Sequence, residues 1–217
     1  MTRGHFITLE GGEGGGKTTQ AALLAERLRR TGLIVLQTRE PGGTPRAEAI
    51  RDVLLSGKAK RFGALGEAVL FYAARESHLA LAIRPALERG TWVVCDRFSD
   101  STRAYQGAAG GLPRSIIETL DKAVVGETRP DLTLIFDVPP ELGLRRAAAR
   151  KSDGEASPQK GPDHFESMNL AFHASLRDEF LAIAKAEPER CAVIDASKDV
   201  EPIADNVWSV VRERFKL

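Results

Sequence analysis

The sequence predicts an α/β fold, a five-stranded parallel sheet flanked by helices, within a single domain of residues 1–217. Two patterns support this prediction. Short apolar runs, typical of buried strands, alternate with segments whose apolar residues recur at helical spacing. Neither an internal repeat nor a linker divides the chain into independent halves. We therefore expect one α/β domain.

The first strand is predicted at residues 5–9 and leads into a glycine-rich stretch. This stretch, Gly11-Gly12-Glu13-Gly14-Gly15-Gly16-Lys17-Thr18, fits the phosphate-binding pattern G-x-x-x-x-G-K-[ST]. A helical pattern follows over residues 19–30, so the loop's inward N–H groups and the helix N-terminus can both hold phosphate. Lys17 supplies a charge for the β and γ phosphates, and the Thr18 hydroxyl can bind Mg²⁺. The expected triphosphate-binding residues are those eight and Thr19.

The next elements keep the alternation. A second strand is predicted at 33–36 and a loop at 38–45, where Pro and Gly exclude regular structure. A helix at 46–55 and a basic connector at 57–63 precede a long helix at 65–89, which Pro85 should kink or break. The third strand covers 91–95. The glycine-rich segment 97–112 is predicted as loop, at least in part, and Pro113 is placed to start a helix.

The last third of the chain completes the sheet. A fourth strand is predicted at 132–138, followed by a helix that Pro139 and Pro140 open and that extends towards Arg150. Residues 151–163 lose apolar periodicity and, by composition, form a mobile loop. A helix at 165–185 and a fifth strand at 192–195 come next. Ser197 or Asp199 is expected to cap a last amphipathic helix that runs to about Phe215.

Composition limits the classes of partner. The chain is 42% hydrophobic and 28% charged, which is ordinary for a soluble globular protein. A net charge of +1 argues against a nucleic-acid coat or a membrane-surface protein. Cys95 and Cys191 lie in apolar runs without metal-ligand spacing, so we expect buried free thiols and a reducing compartment. Without a signal peptide or a membrane-spanning apolar run, we expect a cytoplasmic location with no nucleic-acid or membrane partner.

Charged residues follow the second and third strands. In open α/β sheets, ligands bind beyond the carboxyl ends of the strands. The second strand leads to Arg39 and Glu40, and the third to Asp96 and Arg97, so both pairs should meet the phosphate-binding loop in one crevice. Asp96 can hold Mg²⁺ or its waters, and Arg97 can bind a phosphate bidentately. A local ion pair that caps the third strand is the structural alternative for Asp96 and Arg97.

At this point the sequence resembles the bacterial thymidylate kinases of the nucleoside monophosphate kinase group over nearly its whole length. The segments that carry the resemblance are 9–19, 38–43 (Thr-Arg-Glu-Pro-Gly-Gly), 70–75 (Leu-Phe-Tyr-Ala-Ala-Arg), 96–98, 104–107 (Ala-Tyr-Gln-Gly), 129–134 and 195–197. The resemblance implies a P-loop NTPase fold, a homodimer, and the reaction of ATP with dTMP to give ADP and dTDP. It also implies Mg²⁺ as cofactor, held by Thr18 and Asp96, and catalysis by Lys17, Arg97 and Asp96.

The resemblance also assigns an acceptor site. Phe71 and Arg75 lie four residues apart and share a helix face, so the ring can stack on a base while Arg75 donates to thymine O4. Without the resemblance, Phe71 would be a core residue and Arg75 a solvated charge. The other implied contacts are Glu13 with the sugar 3′-hydroxyl, Tyr105 against the 2′ carbon, Thr102 and Gln106 with the base, Arg97, Arg39 and Arg51 with the acceptor phosphate, and Glu40 within the same site. For Arg51 a plain surface charge is the alternative.

The lid of the active site, expected at about 150–163, departs from the family pattern. Members without a basic residue at the variable P-loop positions usually carry a lid arginine, and here the matching residue is His164. Histidine is mostly neutral at pH 7 and lacks the guanidinium fork. Three explanations are open: His164 acts as a weaker substitute, Arg150, Lys151 or Lys160 supplies the charge, or the enzyme is slower. A surplus of two positive charges over residues 145–163, which include Arg146, favours the second.

Two further assignments and two competing functions complete the prediction. By resemblance, residues 195–198 form the loop on the adenine side, so Ser197 is an expected ATP contact. Arg150, in the predicted lid, is a further expected ATP contact. A kinase for another nucleoside or nucleotide is the alternative enzyme. A P-loop switch ATPase is the alternative class, and it would hydrolyse ATP without an acceptor.

Overall fold

The computed structural model describes residues 3–152 and 164–217. These residues form one sheet of five parallel strands in the order β2-β3-β1-β4-β5, which confirms the predicted fold class. The strands are β1 (Phe6–Gly11), β2 (Val35–Arg39), β3 (Trp92–Asp96), β4 (Leu132–Asp137) and β5 (Cys191–Asp195). Because β1 lies at the centre, the glycine-rich loop that follows it opens at the middle of the carboxyl edge.

Helices cover both faces of this sheet. They are α1 (Lys17–Arg30), α2 (Pro45–Leu55), α3 (Gly63–His78), α4 (Arg84–Glu88), α5 (Ser99–Thr102), α6 (Arg114–Val124), α7 (Pro140–Ser152), α8 (Leu170–Ala186) and α9 (Val200–Phe215). Short 3₁₀ turns at Lys58–Phe62 and His164–Ser167 precede α3 and α8. A π-helical turn at Leu79–Ile83 separates α3 from α4, which begins around Pro85, so the predicted break is confirmed.

Several predicted bounds were wrong. The strand β2 begins two residues later and ends three residues later than predicted, because its pairing with β3 runs from Val35 opposite Trp92 to Arg39 opposite Asp96. The connector at 57–63 contains a 3₁₀ turn rather than plain loop. The loop prediction for 97–112 was wrong over most of its length, since α5 passes into a π-helical turn at Arg103–Ala109. This segment packs Ala104 and Tyr105 against α8, and that burial outweighs its glycine content.

The hydrophobic core lies on the two faces of the sheet. One layer joins α1 and α9 to the sheet through Leu24, Leu28 and Val207, and the other packs α3 and α4 against Phe6 and Val93. Such burial contributes about 1.5–3 kcal/mol for each large aliphatic or aromatic side chain. The polar residues at the carboxyl edge are therefore held on a rigid support.

The two cysteines are free and buried, as predicted. Burial raises the pKa of the Cys95 thiol well above its usual value and that of Cys191 to about 11. Both thiols are therefore neutral near pH 7. Within residues 3–152 and 164–217, no helix is both long and apolar enough to cross a membrane.

Candidate active site

The phosphate-binding loop has the backbone that its glycines permit. Gly11, Gly14 and Gly16 have φ angles of 134°, 69° and 79°, a region that residues with a Cβ rarely adopt. Lys17, the first residue of α1, donates from Nζ to the carbonyl oxygen of Gly12 at 2.6 Å. Burial and the nearby Arg97 lower the pKa of Lys17 to about 8. The loop thus places a buried ammonium group where phosphate would bind.

The same loop is pressed against the start of α7. A Cβ added to Gly14 would lie 2.0 Å from the carbonyl oxygen of Gly143, and one added to Gly143 would lie 2.3 Å from that of Glu13. Real Cβ atoms do not approach so closely, so both positions need glycine. Sequence reasoning missed Gly143, because its partner is far away in the chain. The helix that leads to the predicted lid segment is therefore in direct backbone contact with the phosphate-binding loop.

Thr18 and Asp96 face each other across the end of β3. The Thr18 hydroxyl donates to Oδ2 of Asp96 at 2.5 Å. Hydroxyl and carboxylate oxygens suit Mg²⁺, which usually takes one or two protein ligands and completes its shell with phosphate and water. The described residues contain no group of three or more His, Cys, Asp or Glu side chains suited to a metal. The pair therefore fits a cation that arrives with a nucleotide.

Arg97 and Glu13 form the centre of the crevice. Arg97 donates from Nη2 to Oε1 of Glu13 at 2.7 Å and from Nη1 to the Gly11 carbonyl at 3.1 Å, and Tyr105 donates to the same Glu13 oxygen at 2.6 Å. Burial would raise the pKa of Glu13, but Arg97, Lys17 and the Tyr105 hydrogen bond outweigh it and lower that pKa to about 2. The carboxylate is thus ionised at neutral pH, which lets it accept a further hydroxyl hydrogen bond.

Arg75 is held at a fixed position in the interior. Its side chain is 1% exposed, and its Cζ lies 4.7 Å from the ring centroid of Tyr72 and 5.1 Å from that of Phe98. Nε donates to Oε2 of Glu40 at 2.8 Å, and Nη2 donates to the Thr102 hydroxyl at 3.1 Å. The buried Nη1 has no hydrogen-bond partner among the described residues. A buried donor in this state calls for an acceptor from a ligand or water.

Glu40, which we predicted within the acceptor site, turns both carboxylate oxygens towards buried side chains. Its two carboxylate oxygens accept from Arg75 Nε and from Nδ1 of His78, the latter at 3.0 Å, while Nε2 of His78 lies 2.8 Å from the Thr38 hydroxyl. Glu40 and His78 are 5% and 0% exposed. Glu40 therefore orients Arg75 instead of facing the crevice.

The other residues predicted for the acceptor site are divided between the crevice and its rim. Phe71 is half-buried and packs against the hydrophobic cluster that includes Tyr105, and the buried Gln106 donates from Nε2 to Oε2 of Glu67 at 3.3 Å. On the rim, Arg39 is exposed and paired with Glu48 at 3.1 Å, and Arg51 donates from Nη1 to the Pro41 carbonyl at 2.6 Å. Both guanidinium groups therefore have protein partners in this arrangement.

The predicted lid charges fall into two groups. Arg146, which we predicted among them, donates from its Nη1 to the Ala196 carbonyl at 2.6 Å and from its Nη2 to those of Ser197 and Lys198 at 2.8 and 3.0 Å. It ties α7 to the 195–198 loop, where Ser197 is exposed and donates from Oγ to Asp195. The helix α7 runs to Ser152, into the segment predicted as loop. Lys160 and the side chains of Arg150, Lys151 and His164 lie outside the described part of the chain.

Sequence reasoning also missed the residues that support the site. Glu10, His78, Glu67 and Arg177 each hold a residue of the crevice or its edge, the last through paired hydrogen bonds of 2.6 and 3.0 Å to Asp137 at the end of β4. One signal was present for Glu10, since a carboxylate stands within an otherwise apolar strand. Because these hydrogen-bond partners are far apart in the chain, the sequence contains no regular spacing that would predict them.

The fold and the crevice together define a P-loop phosphotransferase of the nucleoside monophosphate kinase type. A family model described as thymidylate kinase matches residues 9–207. Thymidylate kinases of Nitrobacter hamburgensis and Rhodopseudomonas palustris strain TIE-1 are 50% and 53% identical, over 99% and 98% of this chain and 90% of each relative. A crystal structure of thymidylate kinase from Ehrlichia chaffeensis superposes with a TM-score of 0.74 at 35% identity, covering 96% of this chain and 99% of that one. The chain belongs to the thymidylate kinase family.

Proposed function

We propose that this chain transfers the γ-phosphoryl group of ATP to dTMP, giving ADP and dTDP, a step in dTTP synthesis. The choice of acceptor depends on one observation, that the buried Nη1 of Arg75 lacks a partner among the described residues. The half-buried Phe71 lies on the same helix face as Arg75. Thymine presents O4 as an acceptor, and cytosine presents an amino donor at the same place. An arginine donor fixed there selects thymine.

For this transfer the protein must align the acceptor oxygen with the γ-phosphorus and neutralise charge on the phosphates. An oxygen of the dTMP phosphate attacks the γ-phosphorus. The bond between the γ-phosphorus and the β–γ bridging oxygen breaks, and that oxygen leaves as part of ADP. Lys17 neutralises charge on the β and γ phosphates. Arg97 exchanges part of its contact with Glu13 for the acceptor phosphate and thereby brings the two phosphates together.

Magnesium is the cofactor that this site would use. Thr18 and Asp96 would hold it, and its charge would offset the negative charge of the triphosphate. Their 2.5 Å hydrogen bond, which brings the two oxygens within reach of one small cation, supports this assignment.

Glu13 and Tyr105 form the part of the site that would meet the sugar. Glu13 is ionised and would accept from the 3′-hydroxyl, while the Tyr105 ring, held by its hydroxyl on Glu13, would crowd the 2′ carbon. The same two residues would therefore favour deoxyribose over ribose.

A homodimer and a cytoplasmic location belong to the same proposal. The exposed apolar side chains of Phe62, Leu65 and Val69 share one face at the start of α3, next to Val53 on the adjacent α2, and they are 38–55% exposed. Exposed apolar side chains grouped in this way favour burial against a second copy. Light scattering after size exclusion would measure the mass, and a variant with Leu65→Glu and Val69→Glu should be monomeric.

The two buried free thiols agree with a reducing compartment.

The source of the lid charge stays a prediction. Arg150, Lys151 and Lys160 are the candidates, with His164 as the pH-sensitive alternative. Single alanine variants should identify the residue by the fall in kcat. A pH–rate profile of His164→Ala that matches the wild type near pH 6–7 would rule out the histidine.

The test of the proposed function is ADP release in a coupled assay with ATP and Mg²⁺. The acceptors are dTMP, dUMP, dCMP, dGMP and UMP, with one reaction lacking an acceptor. Strong release with dTMP, weaker release with dUMP and little otherwise supports the proposal. Release with another nucleotide would indicate a different kinase, and release without an acceptor would indicate a switch ATPase.

A further inference from the structure

Glu10 is a buried carboxylate that the proposed reaction does not use. It is the penultimate residue of β1, directly before Gly11, and it is 0% exposed. Burial and the neighbouring Asp100 raise its pKa to about 7, against the stabilising effects of Ser101, Arg97 and Phe98. A carboxylate in such a place costs folding free energy, and groups of this kind concentrate at functional sites.

The two oxygens of Glu10 hold the turn that carries Arg97. Oε1 accepts from the backbone N–H of Phe98 at 2.8 Å, and Oε2 accepts from the Ser101 hydroxyl at 2.6 Å. Arg97 in turn donates from Nη1 to the same Ser101 hydroxyl at 3.2 Å. A continuous path of hydrogen bonds therefore runs from Glu10 to the Arg97 guanidinium.

The backbone of Arg97 needs this support. Its φ is 69°, in the left-handed region that a side chain such as arginine rarely occupies. Strained residues persist where their surroundings fix them on several sides. Here β1 supplies two consecutive anchors, since the Leu9 carbonyl accepts from Arg97 N at 3.0 Å and Glu10 accepts from Phe98 N.

We propose that Glu10 is a positioning residue for Arg97, which aims its guanidinium at the acceptor phosphate through Phe98 N and Ser101. This inference rests on the proposed role of Arg97 as the ligand of that phosphate. Glu10 itself is too deeply buried to touch a substrate. Its effect should appear in the binding of the phosphate group and not in the binding of the nucleoside.

The test compares dTMP with thymidine, which lacks the phosphate. Calorimetry without ATP gives the Kd of each ligand for the wild type, Glu10→Met, Glu10→Gln and Ser101→Ala. The control is Thr8→Val, which removes a buried polar group two residues earlier on the same strand face, bonded to Thr133 at 2.8 Å. Melting temperatures and the KM for ATP are measured on the same samples.

The ratio of Kd for thymidine to Kd for dTMP measures what the phosphate group adds to binding. We expect this ratio to fall about fivefold or more in Ser101→Ala and further in Glu10→Met. The affinity for thymidine should stay unchanged in both variants. Glu10→Gln should recover part of the ratio, because its amide oxygen can still accept from Phe98 N. The value of kcat for dTMP should fall about 100-fold in Glu10→Met. Thr8→Val should keep both ratio and kcat.

The outcomes against the proposal are distinct. If both affinities fall together with the melting temperature, Glu10 is a structural residue only. If Ser101→Ala and Glu10→Gln both keep the wild-type ratio and kcat, the path through Ser101 is unnecessary and the inference is wrong, even where Glu10→Met fails to fold. If the wild type itself does not prefer dTMP to thymidine, the proposed function falls along with this inference.

Discussion

Arg75→Lys tests base recognition with little disturbance of the fold. A lysine keeps a positive charge beside Glu40 and loses the two donors Nη1 and Nη2. Alanine is the poorer choice, because it would leave Glu40, 5% exposed, buried without its partner. Removing one member of a buried ion pair costs about 3–5 kcal/mol, which would confuse a loss of recognition with a loss of folding.

The size of the effect follows from Nη1, the Arg75 nitrogen that has no partner among the described residues. A hydrogen bond from a charged donor contributes about 1.5–3 kcal/mol, and each 1.4 kcal/mol is about a factor of ten. We therefore expect kcat/KM for dTMP to fall about 10- to 150-fold in Arg75→Lys. The value for dCMP should change little, since the cytosine amino group is itself a donor and cannot accept a hydrogen bond from Arg75. The preference for dTMP over dCMP should fall by nearly the same factor.

The assay is coupled ADP release with dTMP, dUMP and dCMP. Arg84→Lys is the matched control, because Arg84 lies a few turns further along the same helical stretch and donates from Nε to the Thr128 hydroxyl at 3.0 Å, away from the crevice. It should keep the wild-type preference. An unchanged preference in Arg75→Lys would refute the base-recognition argument, and an equal fall in Arg84→Lys would show that the effect is a general loss of packing.

Three further predictions concern the loop and its partners. Gly143→Ala puts a Cβ 2.3 Å from the Glu13 carbonyl, so the KM for ATP should rise about tenfold as the phosphate-binding loop shifts, and an unchanged KM would contradict the contact. Tyr105→Phe removes the hydrogen bond to Glu13, so the preference for dTMP over UMP should fall about fivefold in acceptor assays. Because the pKa of Glu13 is lowered from 4.5 to about 2, the stability advantage of the wild type over Glu13→Gln should be full above pH 4.5 and shrink as pH falls towards 2. Denaturant unfolding at several pH values measures it, and an advantage that grows on acidification would show that the sign is wrong.

The sequence predicted the sheet and the crevice because their determinants are local. Strand, glycine loop and helix follow one another without interruption around Lys17, and the rule that parallel strands end at one edge places Arg39 beside Asp96, as the register of β2 and β3 has it. Strand limits were less predictable. Residues 33–36 are apolar enough for a strand, yet β2 extends to Arg39, since the backbone of β3 supplies its hydrogen-bond partners.

Sequence reasoning could not predict which polar side chains form hydrogen bonds with one another. Glu40 stands next to Arg39 in the chain, yet its oxygens turn inward to Arg75 and His78, 35 and 38 residues away. Arg146 belongs to a basic run, and composition alone treats it as one more lid charge. Its contacts with the 195–198 carbonyls depend on α7 meeting the end of β5, which only the assembled fold decides.

The two cysteines have a practical consequence for measuring motion. Thiolates, not thiols, react with alkylating dyes, and both native thiols are buried with raised pKa values. A cysteine placed at an exposed position of α7, such as Ala148→Cys, would therefore be labelled well ahead of Cys95 and Cys191. A fluorophore or spin label could follow α7, the helix before the predicted lid segment, during turnover, in a protein that keeps both of its own cysteines.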